Sequence, residues 1–332
     1  MVKVALLGYG YWGPNLARCL NESRSAELSY IIDLSEENRN KAKSHYPNVI
    51  VSDDLNLPLG DSDLRGVFIA TPAKTHYELA KLALSAGKDV FVEKPLALSL
   101  AEGEELVELA RKNNRILMVG HLMLYHPAVE RIKEMVKDGE IGNPYYFFSQ
   151  RLNLGKVRSD ENVLWSLAPH DISMLLYIFD ETPSSLCAHG GCFLQEKIED
   201  IVFLHLDFPS GVMADIQVSW LAPHKIRKTL IVGERKMLIF DDAEPFEKLK
   251  VYEHSIDIKL NATVNAFTPR YGDIYSPFLP STEPLRAECE EFIRCIQTRE
   301  KPKTDGEEGL KVLKVLESAQ RSLETGKGIS LV

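Results

Sequence analysis

Val4–Gly13 reads VALLGYGYWG. An apolar run stops at a glycine, and two more glycines follow at fixed intervals: Gly8, Gly10 and Gly13, a G-x-G-x-x-G. Each position has a physical use between a strand and a helix. The first glycine permits the tight turn, the second lets a pyrophosphate approach the backbone, and the third lets helix pack closely on strand. The helix that follows presents unpaired N–H groups and a partial positive charge to a phosphate. Asp33 ends the next apolar run, twenty positions past Gly13, where a carboxylate accepts hydrogen bonds from ribose hydroxyls. It also repels a 2′-phosphate, and no Lys or Arg follows it until Arg39, so the pattern predicts NAD rather than NADP. Tyr9, Tyr11 and Trp12 fill the variable positions, either shielding the pyrophosphate or packing the domain edge.

Outward from this turn, strand and helix signals alternate. KVALLG, LSYIID, VIV, GVFIA, DVFVE and ILMVG are apolar throughout, and helical periodicity fills the gaps between most of them. Strands apolar on both faces, separated by amphipathic helices, predict a doubly wound parallel sheet covered on both sides. After about residue 120 the rhythm changes. An aromatic strand, NPYYFFSQRL, and a long helix, ENVLWSLAPHDISMLLYIF, precede a run of strands with few helices between them. That pattern predicts a large, mostly antiparallel open sheet in an α+β domain. Residues 254–282, rich in Pro, Ser and Thr, read as an irregular crossing loop. Two helices close the chain, with Gly326 as C-cap of the second. The expected division is 1–121, a dinucleotide-binding α/β domain, and 122–332, a domain for substrate and oligomerisation.

Composition narrows the classes of function. The 332 residues carry 39 Lys and Arg against 48 Asp and Glu, a net charge of −9. A nucleic-acid partner selects the opposite balance. No apolar run approaches the roughly 20 residues of a membrane span, and no secretory signal opens the chain. The five cysteines form no CxxC pair and no disulfide framework, and there is no zinc spacing, so no metal is expected and the compartment reads as cytoplasmic.

Two further segments carry groups suited to chemistry. VFVEKPLALS places Glu93, Lys94 and Pro95 at the C-terminal end of a strand, the edge along which ligands of such sheets lie. A lysine there, partly desolvated and near a cationic ring, suits proton transfer. IATPAKTHYELA ends the preceding strand, and Thr71, Pro72 and His76 either line the cofactor or form a plain strand–helix turn.

The glycine turn, ATP-x₃-H, EKP and an apolar strand into a second domain together resemble the Gfo/Idh/MocA oxidoreductases, over essentially the whole chain. The resemblance implies NAD(P)-dependent chemistry on sugars, cyclitols and their derivatives, and homodimers or homotetramers built on the second domain's sheet. It implies Lys94 as a catalytic residue, and adds His121 and Trp165 to the cofactor set of Gly8, Gly10, Tyr11, Trp12, Gly13, Asp33, Thr71, Pro72, His76, Glu93 and Lys94. NVLWSLAPHDISMLL matches the family's second catalytic segment and implies His170 as its active-site histidine. Where the family has an Asp four residues earlier, this chain has Ser166, while Asp171 follows the histidine.

GYWGPNLAR, GHLMLYHPAV, RLNLGKVRSDENVLWSLAPHD and EPLRAECEEFI look like the branch that oxidises UDP-N-acetyl-D-glucosaminuronate at C3. That branch feeds an aminotransferase in surface-polysaccharide precursor synthesis. A diphosphate and a sugar carboxylate need local cations, and RLNLGKVR supplies Arg151, Lys156 and Arg158. The expected substrate set is Lys94, Asn153, Arg158, Asn162, His170 and Asp171, with the asparagines reading sugar hydroxyls. Two alternatives stay open: a dehydrogenase of a free sugar or inositol, and a non-catalytic sensor of NAD or a sugar nucleotide.

Overall fold

The computed structural model describes residues 1–155, 157–260 and 265–331. The first stretch alternates as its apolar pattern requires: β1 (Val2–Leu7), α1 (Gly13–Glu22), β2 (Ala26–Ile32), α2 (Glu36–His45), β3 (Ile50–Ser52), α3 (Asn56–Gly60), β4 (Gly66–Ile69), α4 (His76–Ser85), β5 (Asp89–Glu93), α5 (Leu100–Lys112) and β6 (Leu117–Gly120). Pro14 lies in the first turn of α1, where a missing N–H costs little. Ser35 and Ser99 cap α2 and α5 by accepting from Asn38 N and Glu102 N. The six strands form one sheet in the order β3-β2-β1-β4-β5-β6, and every pair is parallel. The order reverses between β1 and β4, which makes a crevice at their C-terminal ends.

The chain continues through α6 (Pro127–Lys137), β7 (Pro144–Leu152), α7 (Val163–Phe179), β8 (Ser185–Gly191), β9 (Ile201–Asp207), β10 (Met213–Ser219), β11 (Ile226–Gly233), β12 (Met237–Asp241) and β13 (Leu249–Tyr252). Then follow β14 (Ser255–Leu260), β15 (Asn265–Arg270), β16 (Ile274–Tyr275), α8 (Pro284–Thr298), α9 (Gly306–Thr325) and β17 (Ile329–Ser330). Nine of these strands form a second sheet, β16-β13-β12-β11-β7-β10-β9-β8-β17, antiparallel except where β10 runs parallel to β7. α7 packs on one face of it, against β7, β9 and β10. Gly326 follows α9 at φ +66°, the left-handed conformation a helix C-cap uses.

Two expectations change. Residues 254–282 are not a plain loop: β14 and β15 pair as an antiparallel two-stranded ribbon and β16 joins the edge of the large sheet. Scattered Ser, Thr and Pro hid an alternation too weak to read as strands. Packing also groups the chain differently from the expected division after residue 121. One compact unit comprises Met1–Tyr125 with Thr282–Lys314, and the other His126–Ser281 with Val315–Val332. α8 belongs to the first unit because its apolar face completes that core. Phe292 packs edge-on against Phe68 of β4 and Phe91 of β5, at ring distances of 5.0 and 5.9 Å. Among the described residues no helix is long and apolar enough to cross a membrane.

Candidate active site

In the first unit the expected residues gather along one sheet edge, because each follows the C-terminal end of a strand: Gly8 after β1, Thr71 after β4, Lys94 after β5 and His121 after β6. The glycine turn is as tight as its sequence implied. Gly8 has φ +93°, and a Cβ there would lie 2.7 Å from the Ala70 carbonyl oxygen. A Cβ on Gly13 would lie 2.1 Å from the Gly8 carbonyl oxygen, so helix and turn touch backbone to backbone. A Cβ on Gly10 would meet nothing within 4 Å, and that open space over the N-terminus of α1 is what a pyrophosphate needs.

Asp33 is anchored before any ligand arrives. Its carboxylate accepts from Tyr9 N at 2.6 Å, Ser35 N at 2.8 Å and Asn38 Nδ2 at 3.2 and 3.3 Å. Arg39 donates to the carbonyls of Asp33 and Leu34 and pairs with Asp53 at 3.4 Å. Asn38 and Arg39 therefore shape this corner, although periodicity gave only a solvent-facing helix there.

The three aromatics of the turn divide their work. Tyr9 is buried, its hydroxyl 3.0 Å from His45 Nδ1 and its ring edge-on to Tyr46, so it packs the domain. Tyr11 is 92% exposed and packs nothing. The Trp12 indole N–H is buried beside Glu93 and helps hold down that carboxyl's pKa.

His76 does not line a ligand surface. It is 1% exposed, with Nδ1 2.7 Å from Pro95 O and Nε2 2.9 Å from Thr71 O. The ring ties the turn after β4 to the Lys94–Pro95 turn, and burial lowers its pKa. Thr71 accepts from Thr75 Oγ1 at 2.7 Å, and Pro72 is exposed.

Beside Lys94, burial shifts two titratable groups in opposite directions. Burial pushes the Glu93 carboxyl up to about 7, against the opposing pull of the Lys94 ammonium and Trp12. His121 is 1% exposed, and burial together with the Lys94 charge lowers its pKa to about 3, so the ring is neutral. Its Nδ1 is buried without a hydrogen-bond partner. The glycine turn itself offers the open space over Gly10 and the anchored Asp33 carboxylate. A pyrophosphate over that space and ribose hydroxyls on that carboxylate suit them, so the residues present fit NAD.

The second unit brings together His170, Asp171, Asn162 and Trp165 on α7. Asn162 is the N-cap: its Oδ1 accepts from Trp165 N, and its Nδ2 donates to Glu199 Oε2 at 2.7 Å and Gln320 Oε1 at 2.9 Å. Those bonds engage both amide hydrogens and one acceptor site of the side chain in the cap itself. Trp165 donates its indole N–H to Gln320 at 3.3 Å. Gln320 and Glu199 carried no signal in the sequence; they lie far along the chain and meet Asn162 only in the fold.

Asp171 is likewise engaged. It is 1% exposed and accepts from Arg151 Nε at 2.6 Å, Arg151 Nη2 at 3.2 Å and Ser149 Oγ at 2.6 Å. Arg151 is 4% exposed, so this bidentate pair takes up Asp171 of the expected substrate set and the Arg151 cation of RLNLGKVR together. Ser166 is buried on α7, and no carboxylate stands at that position. His170 is half-buried. Pro169, inside the helix, withholds a backbone donor from the Trp165 carbonyl just before it. Arg158 is exposed and pairs with Glu161 at 3.0 Å, and Asn153 rests its amide against Gly155. Lys156 lies outside the described residues.

Comparison with known proteins agrees with this geometry. Residues 2–121 match the model of an oxidoreductase family with an NAD-binding Rossmann fold, GFO_IDH_MocA, and residues 129–239 match a C-terminal domain of the same family. The chain is 26% identical to YrbE, an uncharacterised oxidoreductase of Bacillus subtilis, covering 99% of this chain and 96% of that one. It is 25% identical to the myo-inositol 2-dehydrogenase of Thermotoga maritima, covering 99% and 98%. The structure of the UDP-N-acetylglucosamine 3-dehydrogenase of Acidithiobacillus ferrooxidans superposes with a TM-score of 0.82 at 22% identity, covering 97% of each chain.

Proposed function

The chain belongs to the Gfo/Idh/MocA oxidoreductase family and is an NAD-dependent dehydrogenase, and from that premise we propose that it oxidises the C3 hydroxyl of UDP-N-acetyl-D-glucosaminuronate. The observation that carries the reading is Lys94, fixed at the end of β5 between a half-buried carboxyl and a neutral histidine. Bound NAD supplies the hydride acceptor, at its nicotinamide ring. The protein's residues do the rest. Lys94 takes the hydroxyl proton and offsets the developing alkoxide charge, and His170 is the second candidate for the proton. Asp33 and the glycine turn hold the adenosine half and the pyrophosphate. His76 fixes the Lys94–Pro95 turn so that the amine is pre-positioned. Support for a UDP-linked substrate comes from the similarity in fold to a UDP-N-acetylglucosamine 3-dehydrogenase. The place in surface-polysaccharide precursor synthesis and the homodimeric or homotetrameric state belong to the same proposal.

One observation favours a second reading. Arg151 is buried on Asp171, which leaves Arg158, already paired with Glu161, as the described cation of RLNLGKVR open to a diphosphate. A free sugar or inositol needs fewer cations, as the similarity to a myo-inositol dehydrogenase would suit. The test offers the purified protein NAD with the UDP-uronate, UDP-N-acetylglucosamine and myo-inositol, following NADH both free and bound. The reading expects turnover of the uronate and its selective loss in Arg158→Ala; preference for inositol overturns it. Lys94→Ala should lower kcat about 10²–10⁴-fold with NAD affinity intact. An unchanged kcat removes Lys94 from the mechanism.

A further inference from the structure

Glu288 is the charged residue of the first unit that packing least explains. It sits on α8 at 0% exposure, and neither carboxyl oxygen makes a hydrogen bond. Its position follows from two periodicities. Phe292, one helical turn further on, packs against Phe91. Glu93 lies two residues beyond Phe91, on the same side of β5. A Cβ on Gly120 would fall 2.9 Å from Glu93 Oε2 and 3.2 Å from Phe91 Cζ, so both side chains lean over the same glycine. A helical turn of roughly 5.4 Å against two strand residues of roughly 6.6 Å brings Glu288 alongside Glu93. The groups facing Glu288 are Glu93 from β5, Glu291 along α8, Cys19 from α1 and Tyr125 from the turn before α6, with Cys289 beside it. None of them is a cation. An unpaired carboxylate in such surroundings neutralises by taking a proton.

We propose that Glu288 is a positioning residue for the Lys94 site: a neutral carboxylic acid whose O–H is held ready for the Glu93 carboxylate. Its donor sets the pH at which Glu93 becomes the negative neighbour of Lys94. The inference rests on Lys94 as the proton-handling residue, but its first test does not. A donor aimed at Glu93 favours the anion, so removing it raises the pH at which Glu93 ionises. Leu at position 288 removes the donor and suits the apolar surroundings; Gln keeps a donor of the same shape.

Infrared spectra of the protein without substrate, recorded across pH, report protonated carboxyls directly. The wild type should show a buried carboxylic-acid band that persists through neutral pH and is absent from both Glu288→Gln and Glu288→Leu. A second band, identified by its loss in Glu93→Gln, should titrate about one pH unit higher in Glu288→Leu, and within a few tenths of wild type in Glu288→Gln. A persistent band that survives Glu288→Gln, or a Glu93 midpoint unmoved in Glu288→Leu, overturns the proposal. The acid limb of kcat/KM should follow the same order. Infrared shifts without a kinetic counterpart would leave Glu288's protonation standing and overturn its link to Lys94.

Discussion

Two buried polar clusters, one in each unit, are built on opposite rules. Around Arg151 and Asp171 the charges are matched: a bidentate ion pair, with Ser149 donating to the same carboxylate and lying 3.3 Å from Thr229. Around His121 and Glu288 they are not. His121 Nδ1 and both oxygens of Glu288 are buried without hydrogen-bond partners. A closed network rigidifies a core; an open one waits for a ligand or a proton. The contrast separates architecture from chemistry more sharply than residue type does, since an Arg–Asp pair next to a candidate catalytic histidine reads in sequence as part of the reaction.

The hardest test of that contrast is Asp171→Ala. If the matched cluster is architecture, the substitution leaves a buried guanidinium uncompensated and should cost about 3–5 kcal/mol, seen as a large fall in denaturation midpoint. The double variant Arg151→Met, Asp171→Leu should recover most of it, because it removes both charges together. An Asp171→Ala protein of normal stability that has lost turnover would return the carboxylate to the chemistry and break the comparison.

Where the sequence was legible, the reason is local. Glycines at 8, 10 and 13 and Asp33 at a strand end depend on backbone geometry close to them in the chain, so their spacing places them at the turn; the role of Lys94 came from the family resemblance and stays a proposal. The partners of the second cluster are not local. Nothing near Arg151 in the sequence distinguishes a cation facing a diphosphate from one facing Asp171; strand parity and the packing of α7 on β7 decide it. Glu288 was illegible for the same reason. In ECEEF it is one acid among three, and only the placement of α8 in the first unit shows which is buried.

A smaller effect is expected at the N-terminal cap of α7. Asn162 caps α7 and donates to Glu199 and Gln320. Asn162→Ala should lower stability by about 1–2 kcal/mol, measured by denaturant unfolding, with KM for the sugar substrate unchanged. A raised KM at normal stability would show that the amide reads substrate after all. Asn162→Asp restores the cap acceptor but faces Glu199 with a second carboxylate, so it should recover only part of the loss.

Within a pH unit of neutrality the open cluster predicts the smallest effect, and one with a sign. His121 has its pKa lowered to about 3 by burial and by Lys94, against an ordinary value of 6.5. The folded protein therefore refuses a proton that the unfolded chain accepts. Stability falls as pH drops below about 6.5 and keeps falling toward about 3, by about 1 kcal/mol over the first pH unit. Glu93 works the other way. Its pKa is raised to about 7 from 4.5, so the folded state holds a proton the unfolded chain has lost, and stability falls as pH rises between those values. His121→Gln should flatten the acid side of the stability profile, and Glu93→Gln the side approaching neutrality. If neither variant alters its limb, the cluster is already compensated in the free protein, and the distinction between the two units disappears.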